Sequence, residues 1–95
     1  MTIALIATNP RFRLGHIVAT PGALEKFTPE EIAEAIRRHS QGDWGDMSEP
    51  DAYENELALK ERFRVLSIYT FRETKLWVIT EADRSSTCAL LPSEY

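Results

Sequence analysis

Glu81-Ala82-Asp83-Arg84 sets two carboxylates beside a guanidinium, and Ser85, Ser86 and Thr87 follow directly. General acid–base chemistry uses two carboxylates whose surroundings pull their pKa values apart. With His16 as a base and Arg84 holding phosphate charge, the set would suit a small nuclease or toxin-like enzyme. The competing reading is a polar turn. Asp and Ser are frequent in turns because their side chains bond neighbouring backbone amides. The turn reading is preferred, since a solvated tip does not supply two different environments. On that reading Arg84 pairs with Glu81 or Asp83 in water, a contact worth under about 1 kcal/mol.

His16 falls among apolar neighbours in a strand-like segment and reads as structural. His39 falls at the end of a helix, where a protonated ring suits the dipole. The two histidines are 23 residues apart and no HxxxH or HExxH spacing occurs, so no metal site is expected. Cys88 lies in a strand-like run and reads as a small buried apolar residue. There is no glycine-rich phosphate loop and no G-x-S-x-G elbow, and no cofactor is expected.

The loop GDWGD, residues 42–46, is the most unusual stretch. Trp44 either plugs the core or stands out as a binding anchor, since aromatics of this kind dominate interfaces. Asp43 and Asp46 flank it, without the spacing of a calcium loop. Arg62 and Arg64 alternate with apolar residues and would share one strand face, against an acidic protein, RNA or the chain's own acidic segment.

The elements that carry these residues are legible from periodicity and caps. RLGHIVAT (13–20) alternates as a strand, with Leu14, His16 and Val18 on one side and Gly15, Ile17 and Ala19 on the other. Thr20-Pro21 opens a short helix at about 21–26. Thr28, Pro29 and Glu31 form a capping-box pattern, and the helix at about 29–39 buries Ile32, Ala35 and Ile36. Ser48 caps a helix at about 49–62, with one stripe of Tyr53 and Leu57 and another of Ala52, Leu59 and Phe63. Strands then follow at 63–71, 75–81 and 86–91, the last ended by Pro92. The middle one is apolar on both faces, which predicts a central strand or a partly covered outer face. Short connections predict an antiparallel meander. The fold class is α+β: two or three N-terminal helices on a three-stranded antiparallel meander, with the N-terminal strand at its edge. One domain of 95 residues is expected, with residues 1–12 a loosely attached arm.

Hydrophobic residues make up 43% and charged residues 27% of the chain, which fits a folded domain. The single cysteine excludes a disulfide framework. No apolar run is long enough to span a membrane, and the start lacks the basic region of a signal peptide, so a cytoplasmic protein is expected. The net charge of −4 argues against nucleic acid as the partner, because that affinity comes from Lys and Arg on phosphates. The acids are bunched. Asp43, Asp46, Glu49, Asp51, Glu54 and Glu56 run without a base among them, and a basic-leaning stretch follows at 60–75.

The stretches LGHIVATPGALE, GDWGD, ENELAL, LSIYT and WVITEADRSSTCALLPSEY resemble a group of small bacterial proteins. That group is carried near plasmid, phage and integrative-element genes, and is described variously as plasmid-related proteins or type I restriction subunits. The resemblance runs from about residue 13 to the end. It implies a mobile-element accessory protein and brings no activity with it. The restriction label does not fit, since 95 residues cannot hold a methyltransferase domain. His16, Thr20, Trp44, Asn55, Glu81, Asp83 and Arg84 carry the shared motifs. Together these readings point to a non-enzymatic protein that binds a host or mobile-element protein through an acidic surface. The alternatives are the nuclease above and a homodimeric module joined through an edge strand or Trp44.

Overall fold

The computed structural model describes residues 9–95. It is an α+β arrangement of three α-helices and a four-stranded sheet. In chain order these are β1 (His16–Ala19), α1 (Pro21–Lys26), α2 (Pro29–Ser40), α3 (Glu49–Glu61), β2 (Val65–Phe71), β3 (Thr74–Thr80) and β4 (Ser86–Leu90). A 3-10 turn, Pro92–Glu94, follows.

The helix starts are set by local chemistry. The Thr20 hydroxyl accepts from the Ala23 amide at 3.2 Å. At α2 both halves of the capping box form: Thr28 Oγ1 accepts from the Glu31 amide at 3.1 Å, and Glu31 Oε1 accepts from the Thr28 amide at 2.9 Å. Ser48 accepts from the Asp51 amide at 3.3 Å. Each cap satisfies an N–H that the first helical turn leaves without a partner.

The sheet order is β1-β4-β3-β2. β2, β3 and β4 form the expected antiparallel meander. β1 joins it at the β4 edge, but it runs parallel, with His16 opposite Ser86 and Ala19 opposite Ala89. The sheet is therefore mixed. Its inner face carries Ile17, Ala19, Tyr69, Leu76, Val78 and Ala89, packed under α1 and α2 with Ala23, Phe27, Ile32, Ala35 and Ile36. The outer face is partly covered, as Trp77 meets the ring of Tyr95 edge-on at 5.5 Å between centroids.

Three expectations are corrected. β2 begins at Val65, so Arg62 and Arg64 do not share a strand face. Arg62 is instead the left-handed cap of α3, with φ 60°. On α3 the buried residues are Asn55 and Ala58, with Ala52 and Leu59 packed at the side, while Tyr53 and Phe63 are exposed. The expected loose arm falls partly outside the described residues, at 1–8. Arg11 and Phe12 are docked: the Arg11 amide donates to the Ser40 carbonyl at 2.7 Å, and the Phe12 ring packs edge-on to His39.

Candidate functional site

The Glu81–Arg84 turn is not a free charged tip. Arg84 has φ 61° and is only 7% exposed. Its Nη1 donates to the carbonyls of Phe63 at 2.7 Å, Glu81 at 3.1 Å and Ala82 at 3.3 Å, and its Nη2 to that of Ala58 at 2.9 Å. It pairs with neither carboxylate. Phe12 lies under the guanidinium at 5.7 Å. Two of the four carbonyls flank the end of α3, and that of Ala58 also accepts from the Phe63 amide at 3.0 Å. Burial and the nearby Arg62 both lower the Arg84 pKa. Glu81 is half-buried and lies 3.5 Å from Arg64. Asp83 is exposed and accepts from the Ser85 amide at 3.0 Å. Hydrogen bonds from Ser85 hold its carboxyl below the usual range. That last bond is the turn chemistry expected from the sequence.

His16 is exposed at the start of β1. It lines one open depression with Arg13, Leu14, Gly15, Arg84 and Ser85. His16 and Arg84 are thus neighbours at one surface, but the guanidinium is engaged by four carbonyls and neither Glu81 nor Asp83 lines the depression. The acid–base set is not assembled.

His39 is fully buried, against the expectation of a protonated ring that suits the helix dipole. Its Nδ1 is 2.6 Å from Ser67 Oγ and its Nε2 is 2.8 Å from Thr80 Oγ1. Thr80 Oγ1 is 2.7 Å from Thr87 Oγ1, which donates to the Leu14 carbonyl at 2.7 Å. The chain fixes every proton. Thr87 gives its hydroxyl proton to Leu14, so it accepts from Thr80. Thr80 then accepts from His39 Nε2–H, and Nδ1 accepts from Ser67. Burial, with Arg84 close by, lowers the ring's pKa to about 3. The network ties α2 to β2, β3 and β4 and is closed to solvent.

The GDWGD loop and Asn55 close one edge of the sheet. β2 is an edge strand whose outward backbone groups would otherwise be bare. The Asn55 side chain donates to the Leu66 carbonyl at 2.6 Å and accepts from the Leu66 amide at 3.2 Å. The Ile68 amide donates to the Trp44 carbonyl at 3.2 Å, and the Asp46 amide donates to the Ile68 carbonyl at 2.7 Å. Thr70 Oγ1 donates to Asp46 Oδ2 at 2.5 Å. Gly45, at φ 75°, lets the loop approach, since a Cβ there would overlap the Ile68 carbonyl. Trp44 is 6% exposed. It packs with Ala58 and Val65 and donates from Nε1 to Glu56 Oε2 at 3.0 Å. It is a core plug, not an exposed anchor. Asp43 pairs with Arg38 at 2.7 Å, and that bond, with the Gly45 amide, holds its carboxyl below the usual range against the opposing effect of burial. Among the described residues no group of histidine, cysteine and carboxylates is arranged to hold a metal. Cys88 is half-buried, and burial with Glu94 and Glu81 nearby pushes its thiol up, the reverse of what a nucleophile needs.

The outward side of α3 is a different surface. Tyr53 is 63% exposed, and it lines a shallow cleft with Leu57, Leu59, Lys60, Arg11 and Glu56. Glu49, Glu54 and Glu61 are exposed around it, and among the described residues none of them has an ion pair. Glu56 is neutralised by Arg11 at 2.9 Å, and that pairing lowers its pKa. The acidic segment and the basic-leaning segment do not neutralise each other. Arg64 turns to Glu81 and Arg72 to Glu31. No protein-family model, no curated protein and no solved structure matches the chain.

Proposed function

We propose that the protein is a non-enzymatic binding module that engages a host or mobile-element protein through the outward face of α3. The observation that supports this reading is the pairing of an exposed aromatic with unneutralised acids. Tyr53 and Leu57 are four residues apart on one face, with Glu49, Glu54 and Glu61 at its margins. A partner that fits presents an apolar pocket ringed by Lys or Arg. Surfaces that hold nucleic acid have that basic character, and an acidic face competes for them. Aromatic side chains set in such a rim carry a large share of interface energy.

Capture from host lysate tests the reading, with three immobilised baits: the wild type, Tyr53→Ala, and a Glu49→Lys, Glu54→Lys, Glu61→Lys triple variant. The expected result is a partner retained by the wild type and lost from both variants, while all three melt alike. Identical captures by all three, or none by any, overturn the proposal.

A further inference from the structure

The two edges of the sheet are treated differently. The β2 edge is closed by Asn55 and the GDWGD loop. Among the described residues nothing covers the β1 edge. The Cα register and the bonds from the His16 amide to the Ser85 carbonyl and from the Thr20 amide to the Ala89 carbonyl, both 3.0 Å, fix which way the strand faces. In a parallel pair alternate residues bond the neighbour, so His16, Val18 and Thr20 face β4. The amides and carbonyls of Ile17 and Ala19 face outward, and among the described residues no backbone bond reaches them. Beside this edge runs an apolar groove lined by Ile17, Val18, Leu24, Pro29, Ile32 and Ile36. Val18 is 49% exposed and Leu24 59%. The strand is short, at four residues, but it carries no lysine, proline or inward charge to protect the edge.

We infer that β1 pairs antiparallel with β1 of a second copy, joining two four-stranded sheets into one of eight strands about a two-fold axis. Three observations select a second copy as the occupant. The first is self-matching. An axis normal to the sheet keeps the helices of both copies on one side, so the row Ile17–Ala19 and the wall of Leu24 and Pro29 meet their own equivalents. The second is charge. Two copies at −4 repel, yet residues 16–24, HIVATPGAL, contain no Asp, Glu, Lys or Arg. The third is area. A stable pairing covers roughly 800 Å² per partner of a surface of 5786 Å². The four residues of β1 do not reach that alone, so the pairing must also take in the adjoining groove. Because α3 sits against β2 at the far edge, the pair carries two α3 faces at opposite ends.

Sedimentation of the full chain, with site-resolved amide exchange, tests this. Expected is a species of twice 10.8 kDa at tens of micromolar, with Ile17 and Ala19 amides whose protection rises with concentration. Val18→Lys, at an exposed position, should weaken association at least tenfold and free both amides without lowering the melting temperature of the monomer. Leu24→Glu should act the same way. Three results overturn the inference. One is a monomer whose Ile17 and Ala19 amides exchange freely, which leaves the edge to a foreign strand. Another is protection independent of concentration in a monomer, which assigns the edge to another part of the same chain. The third is a dimer indifferent to both substitutions.

Discussion

Arg84 Nη2 donates to the Ala58 carbonyl at 2.9 Å, joining the β3–β4 turn to the end of a helix that finished more than twenty residues earlier. The guanidinium is spread over four carbonyls and lies on Phe12. Its work is to close α3, and it does so as a planar donor that a lysine ammonium cannot reproduce. Arg84→Met removes all four side-chain bonds, although the Ala58 and Glu81 carbonyls keep the amides of Phe63 and Arg84, and should cost about 1–3 kcal/mol, read from urea unfolding. Arg84→Lys should recover less than half. Equal stability of all three proteins would refute the assignment.

His39 makes stability depend on pH in a defined window. An unfolded histidine titrates near about 6.5, whereas the buried ring in the fold titrates at about 3. The unfolded chain therefore binds the extra proton between these values. This contribution is full above about pH 6.5 and falls by about 1.4 kcal/mol per pH unit as the medium is acidified towards the folded value. His39→Gln should be less stable at pH 7, with a flatter profile between pH 6.5 and 5. Parallel profiles would show that the ring is not the titrating group.

Asn55 supplies the donor and the acceptor that Leu66 would find in a neighbouring strand. Asn55→Ala should cost about 1–3 kcal/mol through the two stranded backbone groups. Asn55→Asp should be worse, because a carboxylate oxygen then faces the Leu66 carbonyl. Both should speed exchange of the Leu66 amide and promote aggregation through the uncovered edge. Unchanged exchange at Leu66 would contradict this.

Trp44 and Trp77 should report separately in fluorescence. Trp44 is enclosed by Phe12, Ala58 and Val65, so Trp77→Phe should leave a blue-shifted emission resistant to iodide. Trp44→Ala should cost about 3–5 kcal/mol, measured by denaturation, and Trp44→Phe about 1–2 kcal/mol through lost volume and the lost bond to Glu56. A red-shifted, quenchable Trp44 would place it at the surface.

Local signals in the chain carry the elements well. Thr20-Pro21 and the Thr28–Glu31 box mark helix starts that form as read, and the meander follows from short connections. What escaped depends on distance. Alternation in HIVA tells which side chains share a face, but not that the strand partner lies 70 residues on and runs parallel. Arg84 looked solvated because its acceptors are backbone carbonyls, which leave no mark in a sequence. His39 and Asn55 were recoverable. His39 continues the row Ile32, Ala35, Ile36 at helical spacing, and Asn55 lies between Ala52 and Leu59 on one side of α3. A polar residue within a buried stripe implies a partner, and that rule outranks the preference for a charged histidine at a helix end. The candidate surface was only half legible: the acids of α3 were evident, while the outward turn of Tyr53 required the helix to be docked.

The parallel union of β1 with β4 also sets an order of events. Nothing translated before Ser86 can seat β1, and Thr87, the last hydroxyl in the chain of bonds from His39, arrives with that strand. Pairings between such remote segments form slowly. While the ribosome is still working through the meander, Ile17, Ala19 and the underside of α2 have no sheet to lie on. The growing polypeptide then carries that apolar surface uncovered until β4 emerges.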